Sequence, residues 1–188
     1  GRLVCLDTRT NEIKWQQDDL VGELGTDKQG IFTLFVDRDN DIWMYSPLGI
    51  WVYNPEQEKW LSWLTNIIKR RSHNMVRAVS QDKQGRIWIG TDQDGIDILD
   101  KKTGEVRQLR NKAGDERSLQ NNTVMVLYED SSETMWVGTY KKGISYFNEC
   151  AFKFGAEYIG DISCIEEDKE GYVWLGTNDV GIIYWNSV

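Results

Sequence analysis

The chain has 188 residues, and its 22 Lys and Arg against 30 Asp and Glu give a formal net charge of −8 at neutral pH. So acidic a chain is a poor partner for nucleic acid, because phosphate contacts need positive charge. Apolar residues make up 40% of it and include nine Trp, but no apolar run approaches the roughly 18 residues of a membrane span. The composition therefore predicts a globular chain that does not contact a membrane. It begins Gly1-Arg2 without a secretory pattern, and we interpret it as an excerpt of a longer protein.

The first strand signals belong to an incomplete unit. Residues 1–7 and 11–16 each have the pattern of a short β-strand, and we assign them to the third and fourth strands, C and D, of a first four-stranded blade. Strand A is the innermost strand of a blade and strand D the outermost. The same unit is then repeated along the chain.

Four copies of one motif run through residues 31–188. Each has an apolar strand, an Asp, a turn, a Trp six residues after the Asp, and a strand that begins at Gly. The pairs are Asp37 with Trp43, Asp82 with Trp88, Asp130 with Trp136, and Asp168 with Trp174. The Trp residues are 45, 48 and 38 residues apart, which is close to the length of one propeller blade. We expect all four to fill the space between adjacent blades.

The second of these copies shows the whole blade. Its strand signals are Val76–Gln81, Arg86–Thr91, Ile96–Asp100 and Glu105–Arg110, separated by short turns. The last copy ends after strand C, so we count seventeen strands. The sequence thus predicts an all-β fold, a partial arc of a larger β-propeller built from tandem four-stranded antiparallel blades. We treat residues 1–188 as one partial domain with boundaries at 1–30, 31–75, 76–123, 124–161 and 162–188.

Three positions depart from the pattern, namely Tyr45, Ser46 and Glu133. Gly85 and Gly171 supply the positive φ that the A-to-B turn needs, and Asn40 can do the same, but Glu133 stands at this position in the third copy. We therefore expect a strained or differently shaped turn there. Tyr45-Ser46 replaces the Gly-Thr of the later copies. Trp60 and Trp63 alternate, and we assign both to blade packing along one strand D.

The motifs resemble a known family, the two-component regulator propeller repeat. The best copies run from Asn74 to Asp82 and on through Gly85 to Thr91, and from Asn122 to Asp130 and on to Thr139. This repeat occurs in the periplasmic sensor domains of hybrid two-component system histidine kinases. The resemblance implies a seven-bladed propeller, usually one of two in tandem, followed in the full protein by a membrane span and by kinase and DNA-binding modules. It further implies sensing rather than catalysis, with a possible oligosaccharide ligand and a homodimer formed through propeller contacts.

Catalytic patterns are missing from the sequence. The single histidine, His73, is tied by no motif to Cys5, Cys150 or Cys164, as nucleophilic catalysis would require. No phosphate loop, EF-hand loop or zinc-ligand spacing is present. We therefore predict no catalytic residue, no metal site and no cofactor.

Binding is expected on loops that the rigid blades hold in place. The D-to-A and B-to-C loops share one face, which is the less acidic one and carries two groups of cations. Trp51 stands where the later copies have Asp97, Ser145 and Ile183, and we expect it to point partly outward. The candidate ligand-binding residues are Trp51, Arg70, Arg71, His73, Tyr140, Lys141 and Lys142. Cations near an aromatic surface suit an anionic group on a glycan or partner.

Two other functions remain open at this point. One is a carbohydrate-active or quinone-dependent propeller enzyme, which carboxylates or Glu, Tyr and Arg clusters at the central channel, or a bound metal, would indicate. The other is a plain protein-interaction scaffold.

Overall fold

The computed structural model describes residues 2–18, 31–46, 49–71, 75–148, 153–157 and 159–186. They fall into two compact units, Gly1–Phe32 and Thr33–Val188. The first unit is an antiparallel pair, β1 (Leu3–Leu6) and β2 (Ile13–Gln17), with Leu3 opposite Gln17. No helix in the described ranges has the length and apolarity needed to cross a bilayer.

The second unit consists of four antiparallel sheets, which we call blades 1 to 4. Blade 1 contains β3 (Thr33–Val36), β4 (Ile42–Ser46), β5 (Gly49–Asn54) and β6 (Lys59–Trp60), and leads into the helix α1 (Ser62–Arg71). Blade 2 contains β7 (Val76–Gln81), β8 (Ile87–Thr91), β9 (Ile96–Leu99) and β10 (Val106–Leu109). Blade 3 contains β11 (Val124–Glu129), β12 (Met135–Thr139), β13 (Gly143–Asn148) and β14 (Lys153–Glu157). Blade 4 contains β15 (Ile162–Glu167), β16 (Tyr172–Thr177) and β17 (Ile182–Asn186). The described residues therefore hold seventeen strands, and the prediction of a partial propeller arc with four-stranded antiparallel blades is confirmed.

The core lies between the blades, where the sequence predicts the repeated Trp residues. Trp43 is 0% exposed and packs with Val76 and Val79 of blade 2, and Trp88 is 1% exposed in the next cluster along the chain. Trp136 packs in the same way against Ile162 of blade 4. Trp174 is 40% exposed, and the described chain has no blade beyond it to cover its ring. The prediction that Trp fills the space between blades is confirmed at the three junctions.

Glycine sets how closely two blades approach. A Cβ added to Gly90 would lie 2.6 Å from Cγ1 of Val124, the first residue of the next blade. The equivalent residue in blade 1 is Tyr45, which is buried against blade 2, and this burial raises the pKa of its phenol. At this position the junction between blades 1 and 2 has room for the ring of Tyr45, whereas the junction between blades 2 and 3 has room only for the hydrogen of Gly90.

The prediction of a long strand D in blade 1 is wrong. Strand β6 ends at Trp60, and the chain then forms α1, which packs against β5. Leu64 and Ile68 are four residues apart, share one helix face and are buried in the core, whereas Trp63 lies off that face and is 48% exposed. The alternating pattern of a strand therefore ends at Trp60, and Trp63 belongs to the helix.

The turn at Glu133 keeps the common shape and is strained. Its φ is 64°, close to the 61° of Asn40, and the Glu133 N–H donates to the Asp130 carbonyl just as the Gly85 N–H donates to Asp82. The expected strain is present, because a side chain at positive φ is sterically unfavourable. The alternative expectation of a different loop shape is wrong.

Candidate functional site

One surface carries the B-to-C loops 91–95, 139–143 and 177–181 together with the D-to-A loops 110–123 and 159–161, and we call it the loop face. Backbone hydrogen bonds of 2.9 Å attach each B-to-C loop to the residue that precedes strand A of its own blade. The donors and acceptors are Asp92 N–H to Met75, Tyr140 N–H to Thr123, and Asn178 N–H to Asp161. The loops that bear the predicted site are therefore fixed to the blades at three equivalent points.

Tyr140 and Lys141 form one preorganised element of this face. The Tyr140 ring is 41% exposed, and the ammonium of Lys141 lies 4.9 Å from its centroid. The Tyr140 hydroxyl beside it raises the pKa of Lys141. Asn121 Nδ2 donates to the Tyr140 carbonyl at 2.8 Å, which fixes the loop backbone. Lys142 is exposed on the same loop, so this loop displays two cations beside an aromatic surface.

Two further predicted site residues belong to the helix that follows blade 1. Arg70 and Arg71 are the last two residues of α1, although the sequence indicates a loop there. His73 lies outside the described residues.

The expectation that Trp51 points partly outward is wrong. Trp51 is 6% exposed, and its ring lies over Gly49, where an added Cβ would be 3.1 Å from the ring. The register explains the burial, since Trp51 pairs with Met44 just as Asp97 pairs with Ile89, and Asp97 is 2% exposed. This position faces inward in these blades, and Trp51 is a packing residue.

Several other charges on the loop face are already neutralised. Arg77 forms an ion pair of 2.7 Å with Asp92, and Arg110 pairs with Asp94. Asp179 accepts the Asp161 N–H at 3.1 Å, so its carboxylate serves the loop backbone. The cations of the 139–143 loop are thus freer to meet a ligand than Arg77 is.

The opposite surface carries the A-to-B turns 37–41, 82–86, 130–134 and 168–172, and we call it the turn face. In every blade the turn Asp binds the turn backbone through one oxygen and the indole N–H of its own Trp through the other. The Trp Nε1 to Asp Oδ2 distances are 2.8 Å at Trp43, 2.7 Å at Trp88, 2.7 Å at Trp136 and 2.6 Å at Trp174. The six-residue spacing therefore reports a hydrogen bond from indole to carboxylate, which explains these acids without a catalytic role.

A second repeated contact joins neighbouring blades, and we call it the latch. The N–H of the residue after the turn Asp donates to the side chain of the residue before the turn Asp in the next blade. The pairs are Arg38 to Gln81, Lys83 to Glu129, and Ser131 to Glu167, each at 2.8 Å. No role is predicted for Glu167 from the sequence alone. The signal that could have revealed the latch is the Gln or Glu that precedes Asp82, Asp130 and Asp168.

Lys101 links blade 2 to the turn of blade 1. Its ammonium lies 2.6 Å from Asp37, 2.8 Å from Asp39 and 2.7 Å from Asp41, and its side chain is only 12% exposed. Burial alone would lower the pKa of Lys101, but the hydrogen bonds to these carboxylates raise it above its usual value. These three Asp residues are the group among the described residues whose spacing could hold a metal ion. The ammonium already lies among their oxygens, so the group acts as a salt-bridge cluster.

A cavity of about 290 Å³ on the turn face between blades 2 and 3 includes Glu129. Burial raises the pKa of Glu129, a property that general acids share. Its carboxylate, however, accepts the Lys83 N–H of the latch, and Arg86 Nε is bound at 2.6 Å to Asp82. Glu129 is thus engaged in the latch, and Asp82 and Arg86 are engaged with each other within blade 2.

Comparison with known proteins identifies the repeat. The family model described as two component regulator propeller matches residues 71–93, 118–141 and 159–179. Three stretches of the chain therefore match the two-component regulator propeller repeat. The copy that begins at Ile31 is not matched, and it is the one in which Tyr45-Ser46 replaces Gly-Thr. No curated protein matches the chain significantly.

Solved structures share the fold of this chain. The extracellular domain of the putative hybrid two component system BT3049 from B. thetaiotaomicron superposes with a TM-score of 0.61 at 20% identity, over 86% of this chain and 23% of that one. PorZ of the type-IX secretion system of Porphyromonas gingivalis superposes with a TM-score of 0.66 at 13% identity, over 96% of this chain and 28% of the PorZ chain. Virginiamycin B lyase from Staphylococcus aureus superposes with a TM-score of 0.64 at 11% identity, over 98% of this chain and 62% of the lyase chain. The chain thus spans about a quarter of the length of the first two and less than two thirds of the third.

Proposed function

We propose that this chain is a segment of the periplasmic sensor region of a hybrid two-component receptor, and that its loop face binds a glycan fragment or a partner propeller to control signalling. The three matched two-component regulator propeller repeats carry this proposal. The likeness to extracellular domains of two hybrid two-component systems, BT3049 and BT4673, supports it. In this proposal residues 1–188 form one partial propeller domain, in which β1 and β2 are strands C and D of the preceding blade.

The contact surface of the proposal is the exposed group Tyr140, Lys141 and Lys142, with Arg70, Arg71 and His73 as further candidates. A cation beside an aromatic ring on a rigid loop provides both a stacking surface and a charge. A ligand that binds one signalling state better than the other would shift a homodimeric receptor towards that state. The likeness to virginiamycin B lyase supports only the shared fold, and the acids of the turn face have structural partners.

The test uses the full-length receptor in cells, with a reporter gene under its control and a panel of anionic and neutral oligosaccharides as inducers. We expect a receptor with Tyr140→Ala, Lys141→Ala and Lys142→Ala to lose about tenfold in response at equal receptor level. A receptor with Lys102→Ala and Lys169→Ala is the control, because these lysines are exposed and lie outside the loop face. An unchanged response of the triple variant to every inducer would contradict the proposed surface.

A further inference from the structure

A second cavity, of about 250 Å³, lies at the outer edge of the junction between blades 2 and 3. Its lining is formed by strand β10, by the D-to-A loop that comes after it, and by one aromatic residue of blade 3. The lining residues that carry charge or an aromatic ring are Arg107, Arg110, Lys112, Asp115, Arg117 and Phe147. Four of these six are cations in a chain with a net charge of −8, so the local charge is opposite to that of the whole molecule.

Three of the four cations have no counterion among the described residues. Arg110 pairs with Asp94, whereas Arg107, Lys112 and Arg117 form no ion pair within the described part of the chain. The single acid in the lining, Asp115, uses its Oδ1 to accept the Arg117 N–H at 3.0 Å. All three of these side chains are exposed, so their charged groups are accessible to an anionic ligand.

The loop that presents two of these cations is rigid. The Lys112 N–H donates to Ser118 Oγ at 2.9 Å, and the Ser118 hydroxyl donates to the Asp115 carbonyl at 2.7 Å. Ser118 and the next residue, Leu119, are buried, at 7% and 0% exposure, so the loop is anchored in the core at its C-terminal end. Lys112 and Arg117 are therefore displayed by a preformed loop, which lowers the entropy cost of binding.

Phe147 gives the cavity an apolar wall. It is half-buried, and its ring lies 5.6 Å from the buried Trp88 in a tilted arrangement, which fixes its orientation. Arg107 pairs with Ile98 and Leu109 with Ile96 in the β9–β10 ladder, so both face the side of the sheet that packs against blade 3, where Phe147 lies. An aromatic face beside guanidinium groups suits a ring compound that carries a negative group.

We infer that this cavity binds a sugar residue carrying an oxyanion, a sulfate or a carboxylate, with the oxyanion held by Arg107, Lys112 and Arg117 and the ring against Phe147. The volume, about 250 Å³, lies just below the roughly 300 Å³ at which pockets for drug-sized ligands begin, so the cavity suits a small ligand such as a single sugar unit. The cavity includes the D-to-A loop 110–123 of the loop face. Its role as a sensor site therefore rests on the proposed function. Binding itself is independent of signalling and of the Tyr140 group.

Isothermal titration calorimetry on the 188-residue chain tests the inference, with N-sulfated glucosamine, glucuronic acid, glucose and sodium sulfate as probes. We expect the two anionic sugars to bind, their affinity to fall as sodium chloride is added, and glucose not to bind measurably. The variant with Arg107→Gln, Lys112→Gln and Arg117→Gln should bind at least about tenfold more weakly. Whichever of the sulfate and carboxylate sugars binds more tightly identifies the oxyanion.

A matched variant with Lys59→Gln, Lys102→Gln and Lys169→Gln removes the same charge from exposed positions outside the cavity, and should bind as the unmodified chain does. Phe147→Leu should weaken the binding of the anionic sugars but leave any binding of inorganic sulfate unchanged. Equal weakening in both triple variants would overturn the inference, since net charge alone would then govern binding. Equal affinity for sodium sulfate and the sulfated sugar would overturn the part assigned to Phe147. The cellular response of the Tyr140 group is measured separately, so either proposal can fail without the other.

Discussion

At the scale of single residues, positive φ at Glu133 is an unfavourable position in an otherwise regular turn. The equivalent residues are Asn40, Gly85 and Gly171, and all four have φ between 61° and 85°. A left-handed backbone costs an L-residue with a side chain roughly 1–2 kcal/mol, whereas glycine adopts it freely. The sequence located this strain correctly because the Asp to Trp spacing fixed the register of the turn.

We therefore expect Glu133→Gly to raise the free energy of unfolding by about 1 kcal/mol, net of the greater freedom of glycine in the unfolded chain. The ion pair lost with Lys83 is exposed and contributes little. Glu133→Ala is the control, because it removes the same carboxylate but keeps a side chain at positive φ. Urea unfolding of the three proteins measures the effect, and equal stability of the two variants would show that the turn carries no strain.

Lys101 is a residue whose stabilising effect depends on pH. Its hydrogen bonds to Asp37, Asp39 and Asp41 raise the pKa of Lys101 above 10.5, and the hydrogen bond from Lys101 lowers the pKa of Asp39 below 3.8. A raised lysine pKa stabilises the folded state below pH 10.5, and this stabilisation is lost as the pH rises through the pKa that Lys101 has in the folded state. A lowered aspartate pKa stabilises it above 3.8, and this is lost as the pH falls. The cluster therefore contributes most between about pH 4 and pH 10.

Lys101→Met should accordingly lower the free energy of unfolding by about 3 kcal/mol near pH 7, because Asp37 and Asp41 remain buried without their cation. The difference from the unmodified chain should shrink below about pH 4 as Asp39, whose pKa is lowered by Lys101, is protonated. Lys102→Met, on the exposed neighbouring residue, should change little at any pH. Chemical unfolding at a series of pH values measures this, and a difference that stays constant down to about pH 3 would contradict the assigned electrostatic origin.

At the scale of elements, the latch determines how one blade is held on the next. Glu167 accepts two hydrogen bonds from blade 3, from Ser131 N–H at 2.8 Å and from Ser131 Oγ at 2.6 Å. Glu166 is adjacent in sequence, has the same charge and is exposed. Because neighbouring strand residues point to opposite faces of a sheet, only one of the two acids can reach blade 3.

We expect Glu167→Ala to lower the free energy of unfolding by about 1–2 kcal/mol and Glu166→Ala to leave it within about 0.5 kcal/mol. Calorimetry on both variants compares them at equal net charge. The double variant Glu167→Ala with Ser131→Ala should be less destabilised than the sum of the single variants, since the two changes remove the same contact. Equal effects of Glu166→Ala and Glu167→Ala would mean that the latch contributes nothing beyond surface charge.

The blades differ in how much of their structure could be predicted from the sequence. In blades 2 to 4 the motif recurs in register, so the strand order and the Trp positions follow from pattern alone. Blade 1 was predicted less well, because Tyr45 replaces the close-packing Gly and α1 replaces the outer part of strand D. The latch was missed because it joins residues far apart in the chain, such as Ser131 and Glu167. The cavity at Phe147 was missed for a similar reason, since its cations and its ring belong to different blades.

At the scale of the whole molecule, the blades of the second unit follow one another along the arc, and each contacts its neighbours in the chain. Blades 2 and 3 are covered on both sides, whereas blade 4 presents Trp174, Ile182 and Tyr184 to solvent at 40%, 77% and 62% exposure. In such arrays the stability is close to a sum of each unit and its junctions. Blade 4 has one described junction, so its local unfolding should require the least free energy of the three.

Amide hydrogen exchange with mass-spectrometric detection can resolve this gradient. We expect the amides of β15–β17 to exchange faster than those of β7–β10 in the unmodified chain, because opening blade 4 breaks only its junction with blade 3. Glu167→Ala should accelerate exchange further in β15–β17 and leave β7–β10 unchanged, since it weakens that junction alone. Glu166→Ala should give the exchange pattern of the unmodified chain. If Glu167→Ala instead accelerated exchange equally in every blade, the arc would unfold as one cooperative body, and the junctions could not be treated as separate contributions to its stability.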